Sequence, residues 1–434
     1  MINTVEVYLW GKRIAVLHQG ENDNIPSFEY DRDFARSGIE VAPFMMPLSD
    51  RVYSFPELRD SPAFRGLPGL VADSLPDKFG NAVIDLWLSQ KGRKDGSFSA
   101  LERLCYTGKR GMGALEYVPA EDTGFSGSLI DVTELTELAS EILSGKKEKT
   151  YNISDVTRAQ MLEIGSSAGG ARAKAVIAWN EDTGEVKSGQ IDVPAGFEHW
   201  LIKFDNVRGN GDHGERDGKQ YTLIEYAYHL MAKELGIEMS ECRILEKDGM
   251  SHFMTKRYDR KEGKKVFVQT LSALGHFDFN EPYLCDYTTY SGIARQLGIG
   301  KSGIEEIFRR MVFNVISVNC DDHVKNFSFI MDRQGKWSLT PAYDLTFAYS
   351  PNNRWLCGHQ MTINGKSKEI TENDMLECGR KMGLGARFCK SVIDHTKNVI
   401  SDWMNYAEKC GIAEKTACEV ERVLRNNEIA FKAH

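Results

Sequence analysis

Several features that mark secreted, zinc-binding or membrane proteins are missing from this sequence of 434 residues. Its nine cysteines include no Cys-x-x-Cys pair and no Cys/His cluster with zinc spacing, so we expect free thiols in a reducing compartment. The N-terminus lacks the charged and apolar regions of a signal peptide. No apolar run approaches the ~20 residues that a membrane-spanning helix needs. These absences predict a cytoplasmic protein that does not bind membranes.

The sequence also lacks an excess of positively charged residues. The net charge is −8 and the pI is about 5.8, which argues against a protein that coats nucleic acid. We find no helix-turn-helix signal, no internal repeat and no low-complexity tract. Hydrophobic residues make up 41% and charged residues 27% of the chain, as in ordinary globular proteins. The length allows two or three domains.

The most informative stretch, residues 313–328, begins apolar and ends in the polar run Asp-Asp-His-Val-Lys-Asn-Phe-Ser. Asp321 and Asn326 have the spacing of a kinase catalytic loop, in which the aspartate accepts the proton of the attacking hydroxyl and the asparagine holds magnesium. Lys325 could neutralise developing phosphate charge. Asp344, in a Thr-Pro-Ala-Tyr-Asp segment, offers a second magnesium ligand. This pattern favours a phosphoryl-transfer site.

A simpler interpretation of the same residues is structural. Asp321, Asp322 and Asn326 could cap a helix that ends after Val318, because a lone D-x-x-x-x-N match often arises by chance. The eight-residue polar run followed by Pro-x-Tyr-Asp is much more specific than that short motif.

A second candidate for phosphate binding is the glycine-rich stretch 164–174. Its glycines allow backbone N–H groups to close on an anion, and Arg172 and Lys174 add positive charge. A predicted strand follows, as in kinases; the alternative is a hairpin turn with incidental basic residues. Another glycine-rich segment, 108–114, lacks the Walker lysine-serine pair, so we interpret it as a tight turn.

A lysine and a glutamate complete the kinase pattern. Lys203 lies near the end of a predicted strand, where kinases place their phosphate-binding lysine, and Glu225 lies early in a predicted helix, from which it could pair with Lys203. The alternatives are a surface lysine whose stem covers apolar surface and a solvated helical glutamate.

Apolar periodicity predicts the secondary structure. We predict strands over 5–17 (with a turn at Gly11-Lys12), 27–30, 115–118, 175–179, 199–204, 251–257, 327–331 and 337–339, and helices over 75–90, 97–106, 221–235, 301–318, 372–382, 388–406 and 415–431. The polar stretch 350–365 is long enough to form a mobile loop over the site. We expect a β-rich domain over 1–150, a kinase N-lobe over 151–260 and a helical C-lobe over 261–434.

The run 321–328, together with 339–344, resembles the HipA family of serine/threonine kinases from bacterial toxin–antitoxin systems. The resemblance extends over nearly the whole chain and includes segments 70–80 and 108–115. It implies an α+β protein with a small N-terminal β-rich domain. A bilobal catalytic domain like that of phosphatidylinositol kinases, with a mostly helical C-lobe, would follow.

The resemblance also implies a role for each matching residue. Asp321 would be the catalytic residue, and Asn326 and Asp344 would hold Mg²⁺. The residues that would bind ATP are Ala168, Gly169, Gly170, Ala171, Arg172, Ala173, Lys174, Lys203, Lys256, Arg257, Tyr258, His323, Lys325, Asn326 and Asp344. Ser167 matches a serine that the family autophosphorylates, which ejects the loop and inactivates the kinase.

Family members are usually encoded with HipB, a helix-turn-helix antitoxin, and the two together bind operator DNA. A known substrate class is aminoacyl-tRNA synthetase. Two positions depart from the pattern: Asp322 adds a negative charge where a small residue is common, and Lys256 replaces an acidic hinge residue of the best-known member. Two other functions remain open, a DNA-bound corepressor with secondary kinase activity and a small-molecule kinase on the same scaffold.

Overall fold

The structure, a computed structural model, describes residues 2–20, 25–90, 98–120, 129–144, 172–190, 193–207 and 220–432. Its strands are β1 Thr4–Leu9, β2 Lys12–His18, β3 Ser27–Tyr30, β4 Leu115–Val118, β5 Lys174–Trp179, β6 Val186–Ser188, β7 Glu198–Lys203, β8 Cys242–Lys247, β9 Met250–Lys256, β10 Arg260–Lys261, β11 Lys264–Lys265, β12 Phe267–Thr270, β13 Ser328–Met331 and β14 Trp337–Leu339. Its α-helices are α1 Arg32–Ala35, α2 Gly69–Ala72, α3 Lys78–Gln90, α4 Ala100–Thr107, α5 Val132–Ser144, α6 Tyr221–Glu234, α7 Leu271–Gly275, α8 Tyr287–Gln296, α9 Lys301–Ile316, α10 Glu372–Lys381, α11 Ala386–Ser401, α12 Trp403–Lys409 and α13 Glu414–Lys432. The predicted α+β class is confirmed.

One compact unit comprises Met1–Gly218, Leu245–Gln269 and Ala273–His276. Its first sheet is antiparallel with the strand order β3-β2-β1-β4. The β1–β2 turn falls at Trp10 and Gly11, both with positive φ, which matches the twist of a two-residue hairpin.

The second sheet of this unit has the strand order β6-β5-β7-β9-β8. Helices α3 and α5 share its apolar core, to which Phe79, Val83, Leu135, Leu138, Ile177, Trp200 and Ile202 all contribute buried side chains. In the β5–β7 register, Lys174 lies opposite Lys203. The fold therefore brings two lysines of the predicted nucleotide site onto neighbouring strands.

A buried ionic cluster follows strand β9. The carboxylate of Asp259 is fully buried and accepts hydrogen bonds from Arg257 at 2.6 Å, from Arg260 at 2.8 Å and from the N–H of Gly113 at 2.8 Å. Burial alone would raise the pKa of Asp259, but the two guanidinium groups hold it well below its ordinary value. The cluster stabilises this turn only as a complete set, because an unpaired charge at such a depth is strongly destabilising.

The other compact unit comprises Lys219–Ile244, Thr270–Ser272 and Phe277–His434. Helix α9 supplies much of its core, with the buried apolar residues Ile304, Ile307, Phe308, Met311, Val312, Phe313, Val315 and Ile316. Tyr228 of α6 packs edge-on against Phe313 at 5.8 Å, and its hydroxyl donates to the carbonyl of Ser317 at 2.6 Å. These contacts fix the end of α9, from which the candidate catalytic loop starts.

The C-terminal helices differ from the prediction in one place. The predicted helix 388–406 is two helices, α11 and α12, which meet at Asp402. Trp403, the first residue of α12, is 1% exposed, and its Nε1 donates to the carbonyl of Ala417 in α13 at 2.9 Å. Within the described ranges, no helix combines the length and apolarity needed to cross a bilayer.

Candidate active site

The candidate catalytic loop starts from a strained turn at the end of α9. Val318 adopts the left-handed conformation with φ 57°, and the N–H of Asn319 donates to the carbonyl of Asn314 at 2.9 Å. This contact is typical of helices that end through a left-handed residue, which is usually glycine. A β-branched residue there is an outlier. The turn leads the chain within three residues to Asp321.

Two adjacent aspartates have opposite surroundings. The side chain of Asp321 is 40% exposed, whereas Asp322 is 1% exposed. Asp322 accepts hydrogen bonds from the Tyr287 hydroxyl at 2.8 Å and the Gln360 N–H at 2.7 Å, and His359 Nδ1 lies 3.0 Å from the same carboxylate. A buried carboxylate requires such donors. Of this pair, Asp321 presents its carboxylate to solvent and Asp322 supports the structure.

Burial and the nearby carboxylate of Asp322 together affect the protonation of two neighbouring residues. Burial and this carboxylate raise the pKa of Tyr287 well above its ordinary value, so the phenol remains a donor. Burial, Asp322 and Asp321 likewise raise the pKa of Cys320 well above its ordinary value. Cys320 is therefore a thiol and not a nucleophilic thiolate at neutral pH.

The two proposed magnesium ligands are positioned by contacts with the same loop. Asn326 Nδ2 donates to the main-chain oxygen of Asp321 at 2.7 Å, which directs its Oδ1 away from that carbonyl. Asp344 has a left-handed backbone with φ 53°. The hydroxyl of the preceding Tyr343 donates to the carbonyl of Lys325 at 2.9 Å, which ties the Asp344 segment to the loop.

The donor set fits magnesium better than a transition metal. One carboxylate and one amide oxygen are hard ligands, and magnesium usually takes only one or two protein carboxylates beside substrate phosphates. No group of three or more His, Cys, Asp or Glu side chains suited to a metal occurs in the described part of the chain. Asn326 and Asp344 are therefore residues that could hold a magnesium ion.

Buried side-chain amides connect Asp322 with the backbone of Asp344. Asn314 Nδ2 donates to the Tyr287 hydroxyl at 3.0 Å, and Asn319 Nδ2 donates to Asn314 Oδ1 at 3.0 Å. The same Asn319 amide approaches the carbonyl of Asp344 at 3.5 Å. Tyr287 in turn contacts Asp322. Polar contacts therefore continue from Asp322 to the backbone of Asp344.

Phe279 is an aromatic neighbour of the loop that the sequence did not reveal. Lys325 Nζ lies 4.9 Å from its ring centroid, and the His323 ring lies 5.8 Å away. The first contact is a cation–π interaction, which keeps the lysine beside the loop. His323 Nε2 lies 3.9 Å from Asp321 Oδ1.

The predicted phosphate-binding residues lie in the other compact unit. The described residues do not include the first part of the predicted loop, which is Ser167, Ala168, Gly169, Gly170 and Ala171. Arg172 and Ala173 directly precede β5. Lys174 is 3% exposed with its Nζ 3.8 Å from Asp77 Oδ2, and Lys203 is 7% exposed with its Nζ 5.8 Å from the Phe253 ring centroid.

The predicted hinge follows β9. Lys256 forms a partly exposed ion pair of 2.5 Å with Glu198, and the guanidinium of Arg257 binds Asp259. Tyr258 lies in the turn after the strand. Because both basic side chains are engaged, we expect any nucleotide contact from Lys256 or Arg257 to use the main chain.

Comparison with known proteins identifies the family. The model of the HipA-like C-terminal domain matches residues 166–404, and the model of the HipA N-terminal domain matches residues 5–118. The chain belongs to the HipA family. The resemblance stated from the sequence is therefore confirmed, and the first match includes every predicted site residue.

Two individual relatives of this HipA-family chain illustrate the range of the similarity. The curated protein "Putative kinase Y4dM" of Sinorhizobium fredii is 26% identical over 178 residues, which is 37% of this chain; the match spans 40% of that relative's own length. The solved structure of HipA from Shewanella oneidensis, in complex with HipB and operator DNA, is 16% identical with a TM-score of 0.67. That similarity covers 99% of this chain and 97% of the other, so the two proteins share a fold.

Proposed function

We propose that this HipA-family chain is an ATP- and magnesium-dependent protein serine/threonine kinase that acts as the toxin of a toxin–antitoxin system. The observation that carries the proposal is the exposed carboxylate of Asp321, on a loop to which Asn326 and the Asp344 segment are both tied. Two relatives add support. The name of one describes it as a kinase, and the other is the HipA of a toxin–antitoxin complex.

In the proposed reaction, the hydroxyl of a protein serine or threonine attacks the γ-phosphorus of ATP. A new O–P bond forms, the bond from that phosphorus to the bridging oxygen breaks, and ADP leaves. Asp321 takes the hydroxyl proton as general base. Lys325, held beside Phe279, lies on the same loop and neutralises developing negative charge. A magnesium ion on Asn326 and Asp344 would neutralise the phosphate oxygens.

The remaining nucleotide contacts belong to the same proposal. We assign the phosphate-binding loop to 168–174, a phosphate contact to Lys203, main-chain hinge contacts to Lys256, Arg257 and Tyr258, and a place near the nucleotide to His323. The opposed positions of Lys174 and Lys203 on β5 and β7 support this assignment, because both lysines then approach one region of the sheet.

The test is phosphoryl transfer by the purified chain with Mg-ATP. We expect Asp321→Asn to lower transfer at least ~10²-fold, the usual contribution of a positioned general base. Folding should be preserved, since the side chain is 40% exposed. Asp60→Asn, at another exposed aspartate, is the matched control and should transfer normally. A folded Asp321→Asn protein with wild-type transfer would show that this aspartate is not the base.

Regulation and partners extend the proposal. Ser167, which directly precedes residues 168–174 in the sequence, is the proposed autophosphorylation site. A phosphate there, with roughly −1.5 to −2 charges, would compete with ATP for the same backbone donors and so lower the kinase activity. Phosphopeptide mapping after the transfer assay will show whether Ser167 carries the phosphate.

The partner is a HipB-like helix-turn-helix antitoxin, through which the chain reaches operator DNA. The protein substrate is a translation component such as an aminoacyl-tRNA synthetase.

A further inference from the structure

Gln360 occupies a fixed place beside the candidate catalytic loop. Its N–H donates to Asp322 Oδ1 at 2.7 Å, and its carbonyl accepts from the N–H of Tyr283 at 2.8 Å. The preceding His359 contacts the other oxygen of Asp322 at 3.0 Å. Because Asp322 is buried, these contacts are protected from competition with water. The segment expected to be a mobile loop is therefore bound to the loop that carries Asp321.

The side chain of Gln360 continues this arrangement to Asp321. Its Nε2 lies 3.2 Å from Asp321 Oδ1 and 3.2 Å from the carbonyl oxygen of Trp355, and the residue is 5% exposed. An amide NH₂ has two donor hydrogens, which match these two oxygens. The reverse amide orientation would place an oxygen against a carboxylate and a carbonyl, so the chemistry supports the donor orientation.

We propose that Gln360 is a positioning residue, which holds the carboxylate of Asp321 in the orientation that accepts a proton from the substrate hydroxyl. This inference rests on the kinase function proposed above. The Asp321 side chain is 40% exposed, and a fixed donor at one of its oxygens restricts its rotation by favouring the rotamer that keeps this contact. His323 Nε2, at 3.9 Å from the same oxygen, is beyond hydrogen-bond distance. The Gln360 amide, fixed by Trp355 and by its own backbone, is close enough to restrict that rotation.

Two substitutions of similar size separate positioning from packing. Gln360→Met keeps the volume and removes the donor, and Gln360→Glu keeps the shape but places a second carboxyl group against Asp321. Two carboxylates at this distance cannot both remain ionised, so the pair would hold a proton at the base. We expect kcat to fall about 10- to 100-fold in Gln360→Met, and further in Gln360→Glu. The KM for ATP should change less than about twofold, because misorienting the base removes an interaction of the transition state alone.

The kcat values of the two Gln360 variants, compared with the wild type, distinguish a positioning role from a packing role. A packing role predicts that both shape-conserving variants keep kcat and lose only melting temperature. Gln296→Glu, at an exposed site near the end of α8, controls for added negative charge and should match the wild type. If both Gln360 variants transfer phosphate at the wild-type kcat, this inference fails alone. If the wild-type chain itself transfers none, the proposed kinase function fails and this inference fails with it.

Discussion

Substitution of Asp322 should damage stability far more than substitution of its neighbour. The two residues are adjacent, yet the Asp321 side chain is 40% exposed and Asp322 is 1% exposed. We therefore compare Asp322→Ala with Asp321→Ala and use Asp322→Asn as the shape-conserving variant. The comparison tests whether one aspartate acts in chemistry and the other in structure.

The size of the effect follows from the contacts of Asp322. Its removal would leave the Tyr287 hydroxyl, His359 Nδ1 and the Gln360 N–H without their acceptor. Each buried donor left unsatisfied costs about 1–3 kcal/mol, and the three are not additive because side chains relax. We expect Asp322→Ala to lower the free energy of unfolding by about 3–5 kcal/mol, as when one partner of a buried charged contact is removed.

The shape-conserving variant should cost less. In Asp322→Asn, one side-chain oxygen remains to accept from the Gln360 N–H, while an NH₂ group faces both the Tyr287 hydroxyl and His359 Nδ1. We expect a loss of about 2–3 kcal/mol, because two of the three contacts lose their acceptor and one is kept. Asp321→Ala should lower the free energy of unfolding by at most about 1 kcal/mol, because the side chain is 40% exposed and the one buried donor that it binds, Gln360 Nε2, keeps its contact with the Trp355 carbonyl.

Urea titration followed by circular dichroism and tryptophan fluorescence measures these differences. The chain has two compact units, so the two signals must be compared before one transition is assumed. Equal stability of Asp322→Ala and the wild type would show that this carboxylate is dispensable. A loss in Asp321→Ala as large as that in Asp322→Ala would contradict the separation of roles.

Two other predictions concern ligands. Asp344→Asn should weaken magnesium-dependent nucleotide binding by at least about tenfold, because the negative charge is lost. Stability should change little, because asparagine tolerates the left-handed backbone at this position. Calorimetry with and without Mg²⁺ measures the nucleotide affinity, and unchanged binding would rule out Asp344 as a magnesium ligand. The chain alone, with its net charge of −8, should shift operator DNA weakly, and a small basic helix-turn-helix protein encoded beside it should restore tight binding. A gel shift at stated salt decides this, and strong sequence-specific binding by the chain alone would contradict it.

Local sequence patterns predicted much of the fold. Helix α9 was expected over 301–318 and is observed at Lys301–Ile316, because its apolar residues recur at helical spacing. The strands expected at 27–30 and 115–118 are observed with the same bounds. Glu225 shows the limit of such patterns: it is 2% exposed, so the solvated interpretation of this helical glutamate is wrong.

The neighbours of the catalytic aspartate could not be predicted in this way. Asp322 contacts three residues that lie 35 to 38 positions away in the sequence, namely Tyr287, His359 and Gln360. Nothing in the spacing of these residues indicates the contacts, because a side chain that crosses between distant segments leaves no period in the sequence. The motif identified the aspartate pair, but which of the two is buried depends on this long-range packing.

The backbone at the site gives one further argument that the loop serves a function. Val318 and Asp344 both have left-handed φ values, of 57° and 53°. Aspartate tolerates this conformation, whereas a β-branched valine pays about 1–3 kcal/mol for it. Asn319 lies beside Val318, and its amide binds Asn314 and approaches the carbonyl of Asp344. One buried side chain thus supports both left-handed positions, one before Asp321 and one at the proposed metal ligand. Stability alone would favour glycine at residue 318, whereas a requirement for a fixed loop geometry explains why the strain is retained.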